Sequence, residues 1–161
     1  MSVVHKIREA TEADHEAVAA LINRAFEVEK FFKSCDRTTP EEILHLLHKG
    51  TFLLAEDAAG ALLGSIYVET GGARGYFGML SVQPGRQRGG IGRQLIAAAE
   101  QRARQAGCTF MEISVIDLRE ELPPLYGRFG YELDGDSGEI DERVQPHLKM
   151  PVRLLHMRKT L

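Results

Sequence analysis

Hydrophobic and polar positions in the N-terminal third of the chain follow first a strand-like and then a helix-like pattern. Residues Val3 to Arg8 alternate loosely and predict a first strand. From about Glu12 to beyond Phe26, apolar residues recur at helical spacing and predict a first helix. A second helix begins at Pro40, because Thr39 before it is a typical N-cap residue, and Gly50 can end it.

The middle of the chain reads as three consecutive strands. The apolar runs Thr51 to Glu56 and Ala61 to Glu69 flank the turn-like sequence D-A-A-G and together predict a hairpin. A third run, Tyr76 to Val82, follows the break at Gly71-Gly72.

Helices and strands alternate in the remainder of the chain. Apolar residues from Ile91 to Ala103 predict a helix that ends at Gly107. Thr109 to Ile116 predicts a buried strand, and Pro123-Pro124 opens a short helix that continues through Phe129. Two strands are predicted after it, the clearer at Val152 to Met157.

This order of elements predicts one domain over residues 1–161. The strands on either side of the third helix are expected to run parallel if they share a sheet, and the earlier strands antiparallel. A mixed sheet with helices on both faces follows, of the α/β (α+β) class. The chain is long enough to bury a sizeable core.

Charge and composition exclude several classes of function. The formal net charge is −3, which argues against a nucleic-acid partner held by phosphate neutralisation. No apolar run approaches the roughly 20 residues of a membrane-spanning helix, so no membrane association is expected. The stretch M-S-V-V-H-K-I-R lacks the apolar core of a secretory signal, which favours a cytoplasmic protein.

Cysteine and histidine residues offer no clear reactive site. Cys35 and Cys108 are predicted as free thiols, and Cys108 as a small core residue rather than a nucleophile. His45 and His48 share a helix face, but no third ligand is evident nearby, so no metal site is predicted.

Three glycines and three arginines crowd the segment from Arg86 to Leu95, R-Q-R-G-G-I-G-R-Q-L, where a helix begins. A helix N-terminus leaves backbone N–H groups unpaired and carries partial positive charge, and glycine lets a ligand approach the backbone closely. The segment is therefore predicted to bind a phosphate or diphosphate. It lacks the Gly-Lys-Ser/Thr of a Walker A loop, and Leu95 replaces the third glycine of a dinucleotide fingerprint, so both nucleotide interpretations weaken.

Two motifs resemble those of the GNAT superfamily of N-acetyltransferases. The run from Gln87 to Gly92, Q-R-G-G-I-G, matches the family's pyrophosphate-loop pattern Q/R-x-x-G-x-G/A. The run from Leu125 to Tyr131, L-Y-G-R-F-G-Y, is similar to its Y-x-x-x-G-[FY] element. The resemblance covers the element order of nearly the whole chain. It implies a GNAT-like domain whose mixed sheet of about seven strands, flanked by about four helices, is splayed between the fourth and fifth strands.

The resemblance also implies acetyl-CoA as co-substrate and no metal. The end of the strand at Leu80, Ser81 and Val82 would pair with the pantetheine arm, and a backbone N–H near Leu80 or Ser81 would stabilise the thioester oxyanion. The pyrophosphate would be bound by the backbone N–H groups of the loop and first helical turn, at Gln87, Arg88, Gly89, Gly90, Ile91, Gly92 and Arg93.

By the same resemblance, Tyr126 is the expected general acid for the departing thiolate of CoA, and a core tyrosine is the alternative. No general base is assigned, although Glu69, Glu112 and Tyr76 lie on predicted strands. The sequence departs from the family where Arg119 replaces the usual Asn, and Arg119 is expected to be solvated or to contact a CoA phosphate.

Two segments are expected to form the acceptor site. In F-E-V-E-K-F-F-K, from Phe26 to Lys33, the phenylalanines and glutamates form either a wall for a cationic amine or ordinary core and surface. The acidic stretch from Asp134 to Glu142 is expected to be a flexible loop that is either merely solvated or attracts a basic amine or peptide.

These features predict an acetyl-CoA-dependent N-acetyltransferase that acts by direct attack in a ternary complex. A small amine or an amino-acid-like acceptor is slightly favoured over a protein amine, because the chain is compact. The alternatives are a catalytically weak or inactive CoA-binding regulatory module, for which the missing base argues, and an unrelated nucleotide-binding protein. Homodimers are common in the family, and no interface is predicted.

Overall fold

A computed structural model describes residues 3–138 and 140–161 of the chain. Met1 and Ser2 of the N-terminal stretch and Glu139 of the acidic stretch lie outside the described residues. Seven strands form one sheet in the order β1-β2-β3-β4-β5-β7-β6. They are β1 (Lys6–Glu9), β2 (Thr51–Glu56), β3 (Leu62–Gly71), β4 (Arg74–Val82), β5 (Phe110–Ile116), β6 (Glu132–Gly138) and β7 (Leu154–Thr160).

Four α-helices accompany the sheet: α1 (His15–Ala25), α2 (Pro40–Leu47), α3 (Ile91–Gln105) and α4 (Leu122–Gly127). The predicted N-cap of α2 is confirmed, since the Thr39 side chain accepts a hydrogen bond from the Glu42 N–H at 3.1 Å. Short 3₁₀ turns extend α1 at both ends, at Glu12–Asp14 and Phe26–Glu29.

The pairing of the strands confirms the predicted mixed sheet. Among the strands of residues 3–138 and 140–161, only β4 and β5 run parallel, and every other neighbouring pair is antiparallel. The helix between those two strands, α3, makes the expected crossover.

Two hydrophobic clusters lie on opposite faces of the sheet. The larger packs α3 and α4 against one face, with Leu95, Ile113 and Tyr126 among its members. The smaller packs α1 and α2 against the other face, with Ile22, Ile43 and Phe52 at its centre. The sheet is therefore covered on both sides, as the order of elements predicts.

The first strand begins later than its pattern indicates. It starts at Lys6 and not at Val3, because the preceding residues bond to the first turns of α3 instead of to a strand. The Gln94 side chain accepts from the His5 N–H at 2.9 Å and donates to the Val3 carbonyl at 2.6 Å. The Gln94 side chain, remote in the sequence, thus takes the place of a backbone partner on a neighbouring strand.

Both cysteines are free, and Cys108 is buried in the larger cluster as predicted. Among the residues that the structure describes, no group of three or more His, Cys, Asp or Glu side chains could hold a metal ion. Within residues 3–138 and 140–161, no helix has the length and apolar character needed to cross a membrane.

Candidate active site

A cleft opens where β4 and β5 separate. The two strands pair only at Arg74–Phe110, Gly75–Met111 and Tyr76–Glu112, and both continue beyond the last pair. A bulge in β4 lies just past this point, where Met79 has a φ of 54°. There Met79 and Leu80 both stand opposite Ile66 of β3. The bulge turns β4 away from β5, because a bulge bends and twists its strand.

The end of β4 leads directly into the glycine-rich loop. Gly85, Arg88 and Gly90 all have positive φ angles, of 88°, 72° and 86°, and these left-handed residues turn the chain from the strand into α3. The first backbone hydrogen bond of the helix runs from the Gln94 N–H to the Gly90 carbonyl at 3.0 Å. The N–H groups of residues 91–93 therefore have no acceptor within the helix and are oriented toward the loop.

Close packing places the start of α3 against the sheet. A Cβ added to Gly64 of β3 would lie 2.9 Å from both the Ile91 side chain and the Ser81 carbonyl. Only glycine permits so close an approach at this position. The N-terminus of α3 is thereby held beside the end of β4.

The predicted donor-site residues are brought together, and they offer backbone rather than side chains. Ile91 is buried, and the Ser81 hydroxyl is buried and donates to the Met79 carbonyl at 3.0 Å. The loop from Gln87 to Gly89 is exposed. A groove of about 480 Å³ adjoins this loop, lined by Arg24, Ala25, Glu27, Val28, Pro84, Gly85 and Gln87.

Tyr126 of α4 lies on the face of the sheet that carries α3. Its ring packs against Phe77 of β4 and Tyr131, with ring centroids 5.9 and 6.3 Å apart. Burial raises the pKa of Tyr126 to about 12, and the nearby Arg119 guanidinium opposes this increase. Tyr131 differs, because its hydroxyl donates to the buried Glu100 carboxylate at 2.7 Å.

Arg119 belongs to an ionic cluster and its side chain is 20% exposed, so the expectation of a simply solvated arginine is wrong, while its contact with a CoA phosphate stays a prediction. Its guanidinium lies 3.3 Å from the Glu29 carboxylate and 2.9 Å from Glu121. Glu29 also pairs with Lys33 at 3.0 Å, and the side chains of both are 5–6% exposed. The expectation that the glutamates of this segment face water fails for Glu29 and holds for the exposed Glu27. The ionic contact joins the segment after α1 to the loop after β5.

The first acceptor segment and the adjoining Ser34 are hydrogen-bonded not to the acidic stretch but to residues 147–149, which lie between β6 and β7. The Ser34 N–H donates to the His147 carbonyl at 2.9 Å, and the Lys149 N–H donates to the Phe32 carbonyl at 2.7 Å. A bridge between Lys33 and Leu148 completes this short ladder. Of the phenylalanines, Phe32 is buried and Phe31 is about half exposed.

The acidic stretch is more ordered than expected. Its beginning belongs to β6, and residues 134–136 form an irregularity in the pairing of β6 with β7. Further along, Asp141 pairs with Arg143 at 2.8 Å, and this hydrogen-bonded cation lowers the pKa of the Asp141 carboxyl to about 2.

A family model described as an acetyltransferase (GNAT) domain matches residues 9–159. The chain belongs to the GNAT acetyltransferases. Solved structures of similar fold agree, while a comparison with curated protein sequences gave no match.

Three solved GNAT proteins illustrate the similarity. A GCN5-related N-acetyltransferase from Rhodopseudomonas palustris is 17% identical with a TM-score of 0.77, covering 100% of this chain and 98% of its own. The ribosomal-protein-alanine N-acetyltransferase from Brucella melitensis is 22% identical with a TM-score of 0.72, covering 97% and 99%. The Salmonella typhimurium protein yncA, described as an acetyltransferase and solved with its cofactor acetyl-CoA, is 18% identical with a TM-score of 0.72, covering 99% and 95%.

The three strand residues considered as a general base in this GNAT protein each contact another part of the chain. Glu112 is bound to Arg74 at 2.6 Å. Burial raises the pKa of Tyr67, and the hydrogen-bonded carboxylate of Glu69 adds to this increase, so Glu69 is engaged by Tyr67. The Tyr76 hydroxyl folds back over Gly78, where an added Cβ would lie 2.5 Å from it.

The sequence did not indicate one further polar pair beside the cleft. The Ser114 hydroxyl of β5 and Nδ1 of His156 on β7 are 3.0 Å apart. The strand pattern places each residue on a face, but only the register of β5 with β7 shows that they are cross-strand partners. No short motif contains both residues.

Proposed function

We propose that this GNAT acetyltransferase binds acetyl-CoA in the cleft between β4 and β5 and transfers the acetyl group directly to a primary amine. The observation that carries this proposal is the continuity of the site. The unpaired edge of β4 leads through a bulge into a loop and a helix N-terminus with free N–H groups. An extended chain that carries a diphosphate fits such an arrangement.

The donor would be held mainly by the backbone. Residues Leu80 to Val82 would pair with the pantetheine arm, as an added strand does, and residues Gln87 to Arg93 would bind the pyrophosphate. A free N–H just after the bulge would stabilise the oxyanion of the attacked thioester. The support for these roles is the location of the residues at the end of β4 and the start of α3.

Tyr126 is the proposed acid. Its hydroxyl is protonated at neutral pH, because burial raises its pKa to about 12. An ordinary thiol has a pKa near 8.5, so complete transfer of the proton to the leaving thiolate is uphill by roughly 3 to 4 pKa units. We therefore expect the hydroxyl to act first as a hydrogen-bond donor to the sulfur while negative charge develops there.

For the acceptor, we favour a small amine or an amino-acid-like molecule over a protein amine. The end of the first acceptor segment is hydrogen-bonded to residues 147–149, between β6 and β7, and these bonds occupy backbone groups on this side of the domain. A peptide in extended form needs an open groove or a sheet edge. The alternative function is a regulatory module that binds CoA without catalysis. This alternative predicts that the protein acetylates no amine.

Thermal unfolding with and without acetyl-CoA tests the proposal. A ligand at a hundred times its dissociation constant adds about 2.7 kcal/mol of stability, which raises the melting temperature by several degrees. We expect acetyl-CoA and CoA to produce this shift and NAD and ATP not to do so. A shift with ATP or NAD, and none with a CoA species, would contradict the proposal.

A further inference from the structure

We propose that Ser114 and His156 form the proton relay that deprotonates the attacking amine. In this relay the Ser114 hydroxyl takes a proton from the amine and passes its own proton to Nδ1 of His156. The inference rests on the proposed function, and it assigns the role for which the sequence provides no residue. Four observations support it: the position of Ser114, the face of the sheet, the fixed imidazole and the occupation of the other candidates.

Ser114 lies at the opening of the cleft. The last paired residues of the parallel strands are Tyr76 and Glu112, and Ser114 is two residues further along β5. Side chains two residues apart in a strand share a face, so Ser114 is the first residue on that face beyond the pairing. At this level the opposite strand presents Gly78, over which the Tyr76 hydroxyl lies.

The relay and the proposed acid lie on opposite faces of the sheet. Met111, Ile113 and Val115 of β5 belong to the cluster under α3, and so does Tyr126. Ser114 alternates with the β5 members of that cluster and therefore faces the other side. An amine that approaches from the Ser114 side attacks the thioester while the sulfur faces Tyr126.

The imidazole of His156 is held in position from two sides. Nδ1 lies 3.0 Å from the Ser114 hydroxyl, and Ser114 and His156 are directly opposed in the pairing of β5 and β7. On the β6 side, a Cβ added to Gly138 would lie 2.7 Å from Nε2. Glycine at this position therefore makes room for the ring, and the ring remains aimed at Ser114.

Charged groups from three strands lie near the pair, and two of them contact other side chains. On the same face, Glu112 of β5 is bound to Arg74 at 2.6 Å. Arg158 of β7 covers the Phe110 ring, with its guanidinium carbon 3.8 Å from the ring centroid. On β6, residues 134–136, which include Asp134, stand opposite His156.

The chemistry of the pair fits the task. An amine of ordinary pKa is protonated at neutral pH and cannot attack, whereas imidazole gains and loses a proton near pH 7. A hydroxyl both accepts and donates a hydrogen bond, so serine can pass a proton on. The relay requires the neutral tautomer of His156 with its proton on Nε2, so that Nδ1 can accept.

The proton balance of the whole reaction is complete. The ammonium group loses one proton through Ser114 to His156, which releases it to solvent. The nitrogen lone pair forms the C–N bond, and the C–S bond breaks with its electron pair on sulfur. After the C–N bond forms, the nitrogen loses a second proton. This proton returns to the Tyr126 oxygen, which has given its own proton to the sulfur.

The first test is kinetic, with acetyl-CoA and a panel of primary amines consisting of the standard amino acids other than proline, spermidine and tyramine. For His156→Asn and Ser114→Ala, we expect kcat to fall 100-fold or more, which is the usual contribution of a general base. We expect KM for the amine and the shift in melting temperature with acetyl-CoA to change little. The acidic limb of the wild-type pH–rate profile should disappear in His156→Asn.

Two variants serve as controls. His45→Asn changes an exposed histidine of α2 and should retain full activity. Ser114→Thr retains a hydroxyl and should recover most of the activity that Ser114→Ala loses. A His156→Asn variant with kcat within threefold of the wild type, or with an unchanged pH profile, would overturn the relay while leaving acetyl transfer itself intact. If the wild type itself transfers acetyl to no amine of the panel, the proposed function fails instead.

The second test is independent of the acceptor. The ¹⁵N chemical shifts of the imidazole in the full chain report which nitrogen carries the proton. We expect neutral His156 to carry it on Nε2. A proton on Nδ1, donated to Ser114, would overturn the relay whichever amines react.

Discussion

At the scale of single residues, two tyrosines of one motif have separate environments. The Tyr131 hydroxyl is bound to Glu100, which also accepts from Lys159 at 3.0 Å. No hydrogen bond to the Tyr126 hydroxyl is found among the described residues, and burial alone accounts for most of the rise in its pKa. The hydrogen-bond partners therefore distinguish Tyr131, a structural residue, from Tyr126, the proposed acid. The motif alone does not distinguish the two tyrosines.

Replacing Tyr126 with phenylalanine tests its role directly. The ring contacts with Phe77 and Tyr131 remain, so the fold and the affinity for acetyl-CoA should be retained. We expect kcat to fall roughly 10²-fold or more, because the leaving sulfur loses its hydrogen-bond donor. Steady-state kinetics with a thiol reagent, together with the melting shift, measure both effects.

The matched control is Tyr131→Phe. This change removes one of the two partners of the buried Glu100, so it should cost about 1 to 2 kcal/mol of unfolding free energy and leave kcat nearly unchanged. If Tyr126→Phe retains full kcat, Tyr126 is a packing residue.

At the scale of elements, the sequence pattern does not locate β6, most of which lies in the acidic stretch expected to be a flexible loop, but it predicts the type and order of the other helices and strands. Local periodicity is sufficient there, because each element buries one face. The pattern does not predict the start of β1, where Gln94 replaces a strand partner, or the burial of Glu29. In the candidate site, the loop and Tyr126 are local motifs, whereas the pairing of Ser114 with His156 depends on strand register. Contacts between residues that are distant in the sequence therefore cannot be predicted from local patterns.

The contact that joins β1 to the start of α1 makes stability depend on pH. The Asp14 carboxylate accepts hydrogen bonds from Arg8 at 2.8 and 2.9 Å, and chiefly for this reason its pKa is lowered from 3.8 to about 2. Because the pKa in the folded state is the lower one, this stabilisation is present above pH 4 and is lost as the pH falls toward 2. We expect Asp14→Asn to cost about 1 to 2 kcal/mol at pH 7, and the difference from the wild type to shrink below pH 4.

Urea unfolding of both proteins at pH 7 and at pH 3 measures this difference. The control is Asp36→Asn, which breaks an ion pair with Lys30 in which the Asp36 side chain is 58% exposed. Such exposed pairs contribute roughly 0 to 1 kcal/mol. An Asp14 effect of the same size at both pH values would contradict the proposed origin.

At the scale of the whole molecule, the splayed sheet divides the domain into two parts. Strands β1 to β4 with α1 and α2 form one part, and β5 to β7 with α4 form the other. Among the contacts that connect them are three residue pairs of β4 and β5, the packing of α3, the ladder between residues 32–34 and 147–149, and the ionic contact from Arg119 to Glu29. The cleft must stay open for a ligand, so few backbone hydrogen bonds cross it.

Arg119→Asn tests the ionic connection. It installs the residue that the resemblance to other GNAT proteins leads one to expect, and it leaves the buried Glu29 with Lys33 alone. We expect a loss of roughly 1 to 3 kcal/mol in unfolding free energy, because removing one partner exposes the desolvation cost of a buried charge. Chemical denaturation measures it.

Arg128→Asn is the control, since Arg128 is exposed at the end of α4. Its effect should stay within about 0.5 kcal/mol, as for most surface changes. Equal losses in the two variants would show that the cluster does not connect the two parts.

The ladder between residues 32–34 and residues 147–149 has a consequence for how acceptor selectivity evolves or is redesigned. Ser34 and His147 are 113 positions apart in the chain, yet a backbone hydrogen bond joins them. Grafting either segment alone from a relative would leave its backbone groups without their partners. New specificity therefore has to arise by paired changes at distant positions, so covariation between the two segments should mark the determinants of acceptor choice.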